Sequence, residues 1–340
     1  MIWGAGLILA FALLAAVELY WRQGGAKPSV TDNPALWSYH RGRAANDAEE
    51  TVVIVGTSRA QLGIDVETIE KQYPHYSVVQ LAIASGGVPP ATIADLAADE
   101  AFRGLLIVDG IPSWITSETW DAQQGFVDAY HQMQSPTQNF ETLMTAAGES
   151  QLTLLRASCG LRALASALMT GRRPTESPRW MLVNRCVHAD YDHVDTDKIN
   201  AEELTRLQED LEEKVERREA EYEEWKKLMS RLAQHFQTML DRGCRIAFVR
   251  FPTSGPRVEV DEHVAPRPKY WDVCCDILPK EVVKIHFADE LTLRNFQCPD
   301  MSHLDYRDAR LFTQALFDLL AERSLITSSP SDSVNSLYRP

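Results

Sequence analysis

The run Thr51-Val52-Val53-Ile54-Val55 is the strongest constraint on what this chain can fold into. β-Branched residues in succession, with no polar alternation, read as a strand buried on both faces, the kind found in a parallel sheet. The run halts at Gly56, and Ser58 follows two residues later. A strand ending in Gly-x-Ser carries the hydroxyl to the carboxyl end of a sheet, where open α/β folds place their ligands. A helix beginning just after it would aim free N–H groups and a positive dipole end at the same spot. Taken alone, such a serine is more often a helix cap. The rest of the chain has to decide.

Downstream the same grammar repeats. A helix is expected over 66–72, ending before Pro74, then a strand over 77–82 and a loop Ser85-Gly86-Gly87 whose glycines permit close backbone approach to a ligand. A helix over 91–100 leads to a third buried strand, 105–108, closed by Asp109-Gly110. Repeated β–α units imply a parallel sheet with helices packed on it. The fourth and fifth strands are read at 245–251 and 282–287, and a last helix over 308–322.

Between the third and fourth strands the pattern is helical. An apolar helix is expected over 151–169. The loop 186–197 holds His188, Asp190, Asp192, His193, Asp195 and Asp197, yet lacks the glycine and terminal glutamate of an EF-hand, and reads as a solvated loop rather than a metal site. One long helix is expected over 201–242. Leu204, Leu211, Trp225, Leu232 and Met239 share one heptad position, and Val215, Tyr222, Met229 and Phe236 share the other. Such a helix either packs along its own domain or offers a protein partner a coiled-coil face.

The N-terminus is different in kind. Residues 2–20 are apolar apart from Glu18 and as a helix would run about 28 Å, enough to cross a hydrocarbon core of roughly 30 Å. Trp3, Tyr20 and Trp21 sit where interfacial aromatics are expected. The competing reading is a secretory signal, for which the cleavage pattern is weak. Lys and Arg are absent before the segment, whereas Arg22, Lys27, Arg41 and Arg43 follow it, an asymmetry that by itself favours a cytoplasmic body. Residues 23–50, rich in Gly, Pro, Asn and Asp, read as a linker. The formal net charge of -14 argues against a nucleic-acid partner. Six cysteines without C-x-x-C spacing form neither a disulfide scaffold nor a zinc pattern.

Asp300-Met301-Ser302-His303 stands just before the last helix. An Asp three residues before a His can fix the imidazole's tautomer and orientation, and a His so held can take a proton from a serine hydroxyl. With a serine after the first strand, a Gly pair after the second and Asp-x-x-His before the final helix, residues 51–322 resemble the SGNH (GDSL-like) hydrolase superfamily, in its membrane-anchored bacterial branch. The resemblance implies a flavodoxin-like three-layer α/β/α fold over 51–325, with a parallel sheet of about five strands and a long helical insertion at about 113–242. An N-terminal transmembrane helix over 1–22 would precede it, and a flexible tail over 326–340 would follow. It further implies Ser58 as nucleophile, His303 as base, Asp300 as its orienting partner, and the N–H groups of Ser58 and of Gly86 or Gly87 as oxyanion donors. Arg59 is a candidate for holding an anionic part of the substrate.

The implied activity is acyl ester hydrolysis or O-acyl transfer on an acylated envelope polysaccharide or lipid. It needs no cofactor, and the body of an inner-membrane, single-pass protein would be periplasmic or extracellular. Two departures stand out. Thr57 replaces the acidic residue usual before the serine, and Val108-Asp109-Gly110 occupies the place of the family's third-block Asn, where an ionised Asp would repel an oxyanion. The rival expectation is a non-catalytic scaffold subunit of an envelope assembly.

Overall fold

The computed structural model describes residues 2–45, 50–84, 87–132, 135–171 and 178–327. Helix α1 (Ile2–Gln23) is followed by α2 (Pro34–Arg43), β1 (Thr51–Val55), α3 (Ser58–Gly63), α4 (Val66–Gln72), β2 (Ser77–Gln80), α5 (Pro90–Ala98) and β3 (Leu105–Asp109). The long stretch before the next sheet strand carries α6 (Gln124–Gln132), α7 (Pro136–Glu149), α8 (Leu161–Thr170), the hairpin β4 (Arg179–Met181) and β5 (Val187–Ala189), then α9 (Thr196–Gln208), α10 (Leu211–Ala220) and α11 (Tyr222–Asp241). The chain closes with β6 (Arg245–Arg250), α12 (Pro256–Val264), α13 (Arg267–Ile277), β7 (Val283–His286) and α14 (Tyr306–Glu322).

Five strands form one parallel sheet in the order β2-β1-β3-β6-β7, and β4 and β5 pair antiparallel on their own. The strand order reverses between β1 and β3, which both leave their carboxyl ends at the crevice where open α/β sheets hold ligands. Burial follows the period of two. Val53, Val55, Leu106, Val108, Ile246 and Phe248 face a core built with α5, α11 and α13. Val52, Ile54, Leu105, Ile107, Ala247 and Val249 face a second core built with α3, α4 and α14. With helices on both faces, neither side of the central strands can be polar, so their sequences read as unbroken apolar runs.

Two expectations are corrected. The single helix over 201–242 is three helices, interrupted after Gln208, where Asp210 takes φ 53°, and again at Glu221. Only α11 buries its stripe, with Trp225, Met229, Leu232, Phe236 and Met239 in the core, whereas α9 and α10 bury no residue. The heptad count crossed a boundary at which the apolar partner changes, since α9 and α10 pack over α12 instead. Over 151–169, two short 3-10 turns precede α8, so the helix is confined to its last part.

Residues 23–45 are packed rather than free. Trp37 is fully buried and donates its Nε1 to the Leu81 carbonyl at 3.0 Å, and buried Arg41 pairs with Asp95 at 2.6 Å and Asp99 at 2.9 Å. Asp32 accepts from Arg185, which is sealed from solvent. All six cysteines are free thiols. Of the expected tail, Leu325 and Ile326 are buried and Thr327 donates its N–H to Tyr76 at 3.1 Å; 328–340 lie outside the described residues.

Candidate active site

β1 ends at Gly56, whose φ of 154° and contact with β3 exclude a side chain: an added Cβ would lie 2.3 Å from the Asp109 Cβ. Thr57 caps α3, its hydroxyl accepting the Arg59 N–H at 3.3 Å. Ser58 therefore occupies the first helical position, where its own N–H has no partner inside the helix. The turn is held from below. Asp109 Oδ2 accepts the Thr57 N–H at 3.2 Å and the Thr57 hydroxyl at 2.5 Å. It is held from the side as well, by Gln123, whose Nε2 donates to the carbonyls of Gly56 (3.1 Å) and Gly87 (3.0 Å) while its Oε1 accepts from Thr92.

The far end of the chain arrives at the same place. Ser58 Oγ lies 2.8 Å from His303 Nε2, and His303 Nδ1 lies 2.9 Å from Asp300 Oδ2. An ionised carboxylate only accepts, so Nδ1 carries the proton and Nε2 is left bare to receive the Ser58 hydroxyl proton. Asp300 is itself saturated. Oδ1 takes the N–H groups of Ser302 and His303 at 3.0 and 2.7 Å, and Oδ2 also takes the Tyr191 hydroxyl at 2.6 Å and Arg179 Nη2 at 2.9 Å.

These contacts set the charges. Burial pushes the Asp300 carboxyl up, but the hydrogen bonds from His303, Tyr191 and the backbone outweigh it and hold the group well below the usual carboxylate range. For His303, burial lowers the pKa, Asp300 raises it, and the nearby Arg179 and Arg59 cations lower it again; the net direction is down. The imidazole is thus neutral, and competent as a base, at neutral pH.

Of the residues named from the sequence, all but Gly86 lie among the described residues. Ser58, His303 and Asp300 are assembled as one relay. Gly87 has φ 72°, and a Cβ there would meet Ala122 at 2.6 Å; Gly86 lies outside the described residues. Arg59 is not presented to solvent. It is 2% exposed, lies under Trp114, donates Nε to Ser302 Oγ at 3.3 Å and sits 3.6 Å from Asp261. Burial, then the neighbouring Arg250, bring its pKa down to about 9. Its guanidinium is thus turned inward, toward the Ser302 hydroxyl and Asp261, and not outward where a substrate anion would arrive from solvent.

Three residues that hold this arrangement went unseen in the sequence: Arg179, Tyr191 and Gln123. Arg179 and Tyr191 come from the β4–β5 region, distant in sequence and without a motif. Tyr191 lies inside the acidic loop considered for a metal, where His188 instead meets Asp65 at 2.9 Å and Asp190 and Asp192 meet Arg307 at 2.8 and 2.7 Å. A scan of protein-family models and a search of curated proteins returned no match to this chain.

Proposed function

We propose that the protein is a membrane-anchored, serine-dependent acyl ester hydrolase or O-acyltransferase of SGNH (GDSL-like) type, acting on an acylated cell-envelope glycan or lipid. The single observation that carries this reading is the Ser58–His303–Asp300 relay, with links of 2.8 and 2.9 Å formed by residues 245 and 3 positions apart. The five-strand parallel order β2-β1-β3-β6-β7, with the serine beside its switch point, supports a flavodoxin-like reading of the sheet. The His303 Nε2 aligned on the Ser58 hydroxyl favours the enzyme reading over that of a scaffold subunit. α1 is read as a retained anchor, because Trp21 near its end is 1% exposed within the folded body. In the family's arrangement the body would lie on the periplasmic or extracellular side.

In the reaction, Ser58 Oγ attacks the ester carbonyl as His303 Nε2 takes its proton, and Asp300 stabilises the imidazolium. The N–H of Ser58, with that of Gly86 or Gly87, receives the developing oxyanion; one such donor contributes about 10²–10³ in rate. Collapse expels the alcohol, protonated by His303, and leaves an acyl-serine. Water or an acceptor hydroxyl, deprotonated by His303, then releases the acyl group. The third-block departure is less damaging than its sequence implies. The Asp109 carboxyl is turned onto Thr57, whose N–H and hydroxyl it holds, and burial shifts its pKa upward.

The test is covalent labelling by a fluorophosphonate probe of the full chain and of Ser58→Ala and His303→Ala. The expected result is labelling of the wild type that vanishes in both variants. A folded wild type that does not label would sink the proposal.

A further inference from the structure

Among the described residues, ten large apolar side chains outside α1 are exposed, and seven of them fall within 140–169. The same part of the chain holds the root of α1. Val17 and Trp21 are buried together with Cys159 and with Ala167 of α8, and Leu164 packs against them. The Glu18 carboxylate accepts the N–H groups of Thr153 and Leu154, both at 2.9 Å. α8 is therefore apolar on two sides. Ala163, Leu164 and Ala167 meet α1, while Leu161, Ala165, Leu168 and Met169, spaced i, i+4, i+7 and i+8, form one outward stripe. Exposure along it reaches 59% at Leu161, 69% at Leu168 and 81% at Met169.

Length says what covers this stripe. Residues 3–16 of α1 are exposed throughout, and Val17 is the first to be buried by the body. The span apolar enough to cross a membrane runs from Trp3 to Gln23, so its last residues, from Val17 on, are the docked root and not free helix. If α1 spans, its docked root must complete the crossing, and whatever lies beside the root shares that depth. Interfacial helices bury their apolar face by about 5–10 Å, a depth open to a helix packed beside that root.

We infer that α8, with the turn at 152–155, is a second membrane contact that inserts its Leu161–Leu168–Met169 stripe into the bilayer interface beside α1. The inference rests on α1 being a membrane helix and is independent of the serine chemistry. It also orients the site. Arg156, just past the turn, donates to the carbonyls of Lys27 and Arg179, and Arg179 reaches Asp300. A cavity of about 260 Å³ lined by Gly24, Lys27, Arg156, Arg179 and Trp180 lies between the end of α1 and that arginine. The relay is thus set close to the lipid surface, where a membrane-borne ester or acceptor would be met.

The experiment places an environment-sensitive fluorophore at Leu168→Cys in the full chain, over a Cys275→Ser background, in phosphatidylethanolamine–phosphatidylglycerol vesicles. Leu9→Cys reports the anchor, and Leu291→Cys, an exposed apolar site outside this segment, reports open solvent. The expected result is that Leu168 loses emission to lipids brominated near the headgroup and keeps it in aqueous iodide, with Leu291 behaving oppositely. Iodide quenching at Leu168, while Leu9 is quenched by deep bromines, would overturn the interfacial contact and leave the anchor standing. Protection from both quenchers with a doubled particle mass would overturn it in favour of a second copy of the chain. Iodide quenching at Leu9 would remove the anchor and the inference together, without touching the labelling of Ser58.

Discussion

Asp300 and Asp109 are both buried, both at loop or strand ends on the same rim of the sheet, and both within two contacts of Ser58, yet their surroundings differ in kind. Asp300 receives five donors, from two backbone N–H groups, His303, Tyr191 and Arg179, and its pKa falls far below normal. Among the described residues Asp109 receives two, both from Thr57, and none of them partners its buried Oδ1; its pKa rises. Burial pushes both carboxyls toward neutrality, and the supply of donors decides which way each pKa moves. One aspartate is thereby suited to stabilise an imidazolium, and the other to clamp a turn.

The largest effect expected from this comparison is at Asp300. Asp300→Asn should retain the fold and lower kcat by about 10⁴, because the wrong imidazole tautomer would face Ser58; a loss of under tenfold in turnover of a chromogenic ester would place the two aspartates on equal terms. Next is Asp109→Ala, which leaves the Thr57 N–H and hydroxyl buried without an acceptor. Thermal unfolding should show a loss of about 1–3 kcal/mol, together with a weakened rate, since Ser58 is carried on that turn.

Arg179→Met tests the donors around Asp300 through pH. His303 must be neutral to act, so activity rises as pH climbs through its pKa, which lies below the ordinary 6.5. Removing a cation 3.1 Å from Nδ1 raises that pKa, and the ascending limb of kcat/KM against pH should move to higher pH. A limb that moves down or stays fixed would mean Arg179 does not act on His303. The smallest effect is reserved for Asp109→Asn. Its amide oxygen can still accept from Thr57, so both the unfolding midpoint and kcat should stay within a few-fold of wild type. A marked rise in rate would show instead that Asp109 is ionised and opposes the oxyanion.

Much of this site was legible because its three reactive residues lie at element boundaries that the pattern marks. Ser58 follows a β-branched run broken by glycine, and Asp300 and His303 precede an amphipathic helix, where local hydrogen bonding between residues three apart is nearly forced. Arg179, Tyr191 and Gln123 carried no such mark. They reach the site across 121, 109 and 67 residues of chain, respectively to Asp300, Asp300 and Gly56, and side chains that act at such separations leave no period to read.

Sequence by itself determined the parallel sheet and its helices, because burial on both faces demands apolar runs that nothing else tolerates, and it determined α1, whose length and hydropathy are local properties. Packing decided the rest. It split the 201–242 helix where its partner changes, turned Arg59 inward beneath Trp114, and folded 23–45 against the body instead of leaving a tether. Each of these depends on which surface arrives opposite a residue, a fact settled only when distant segments meet.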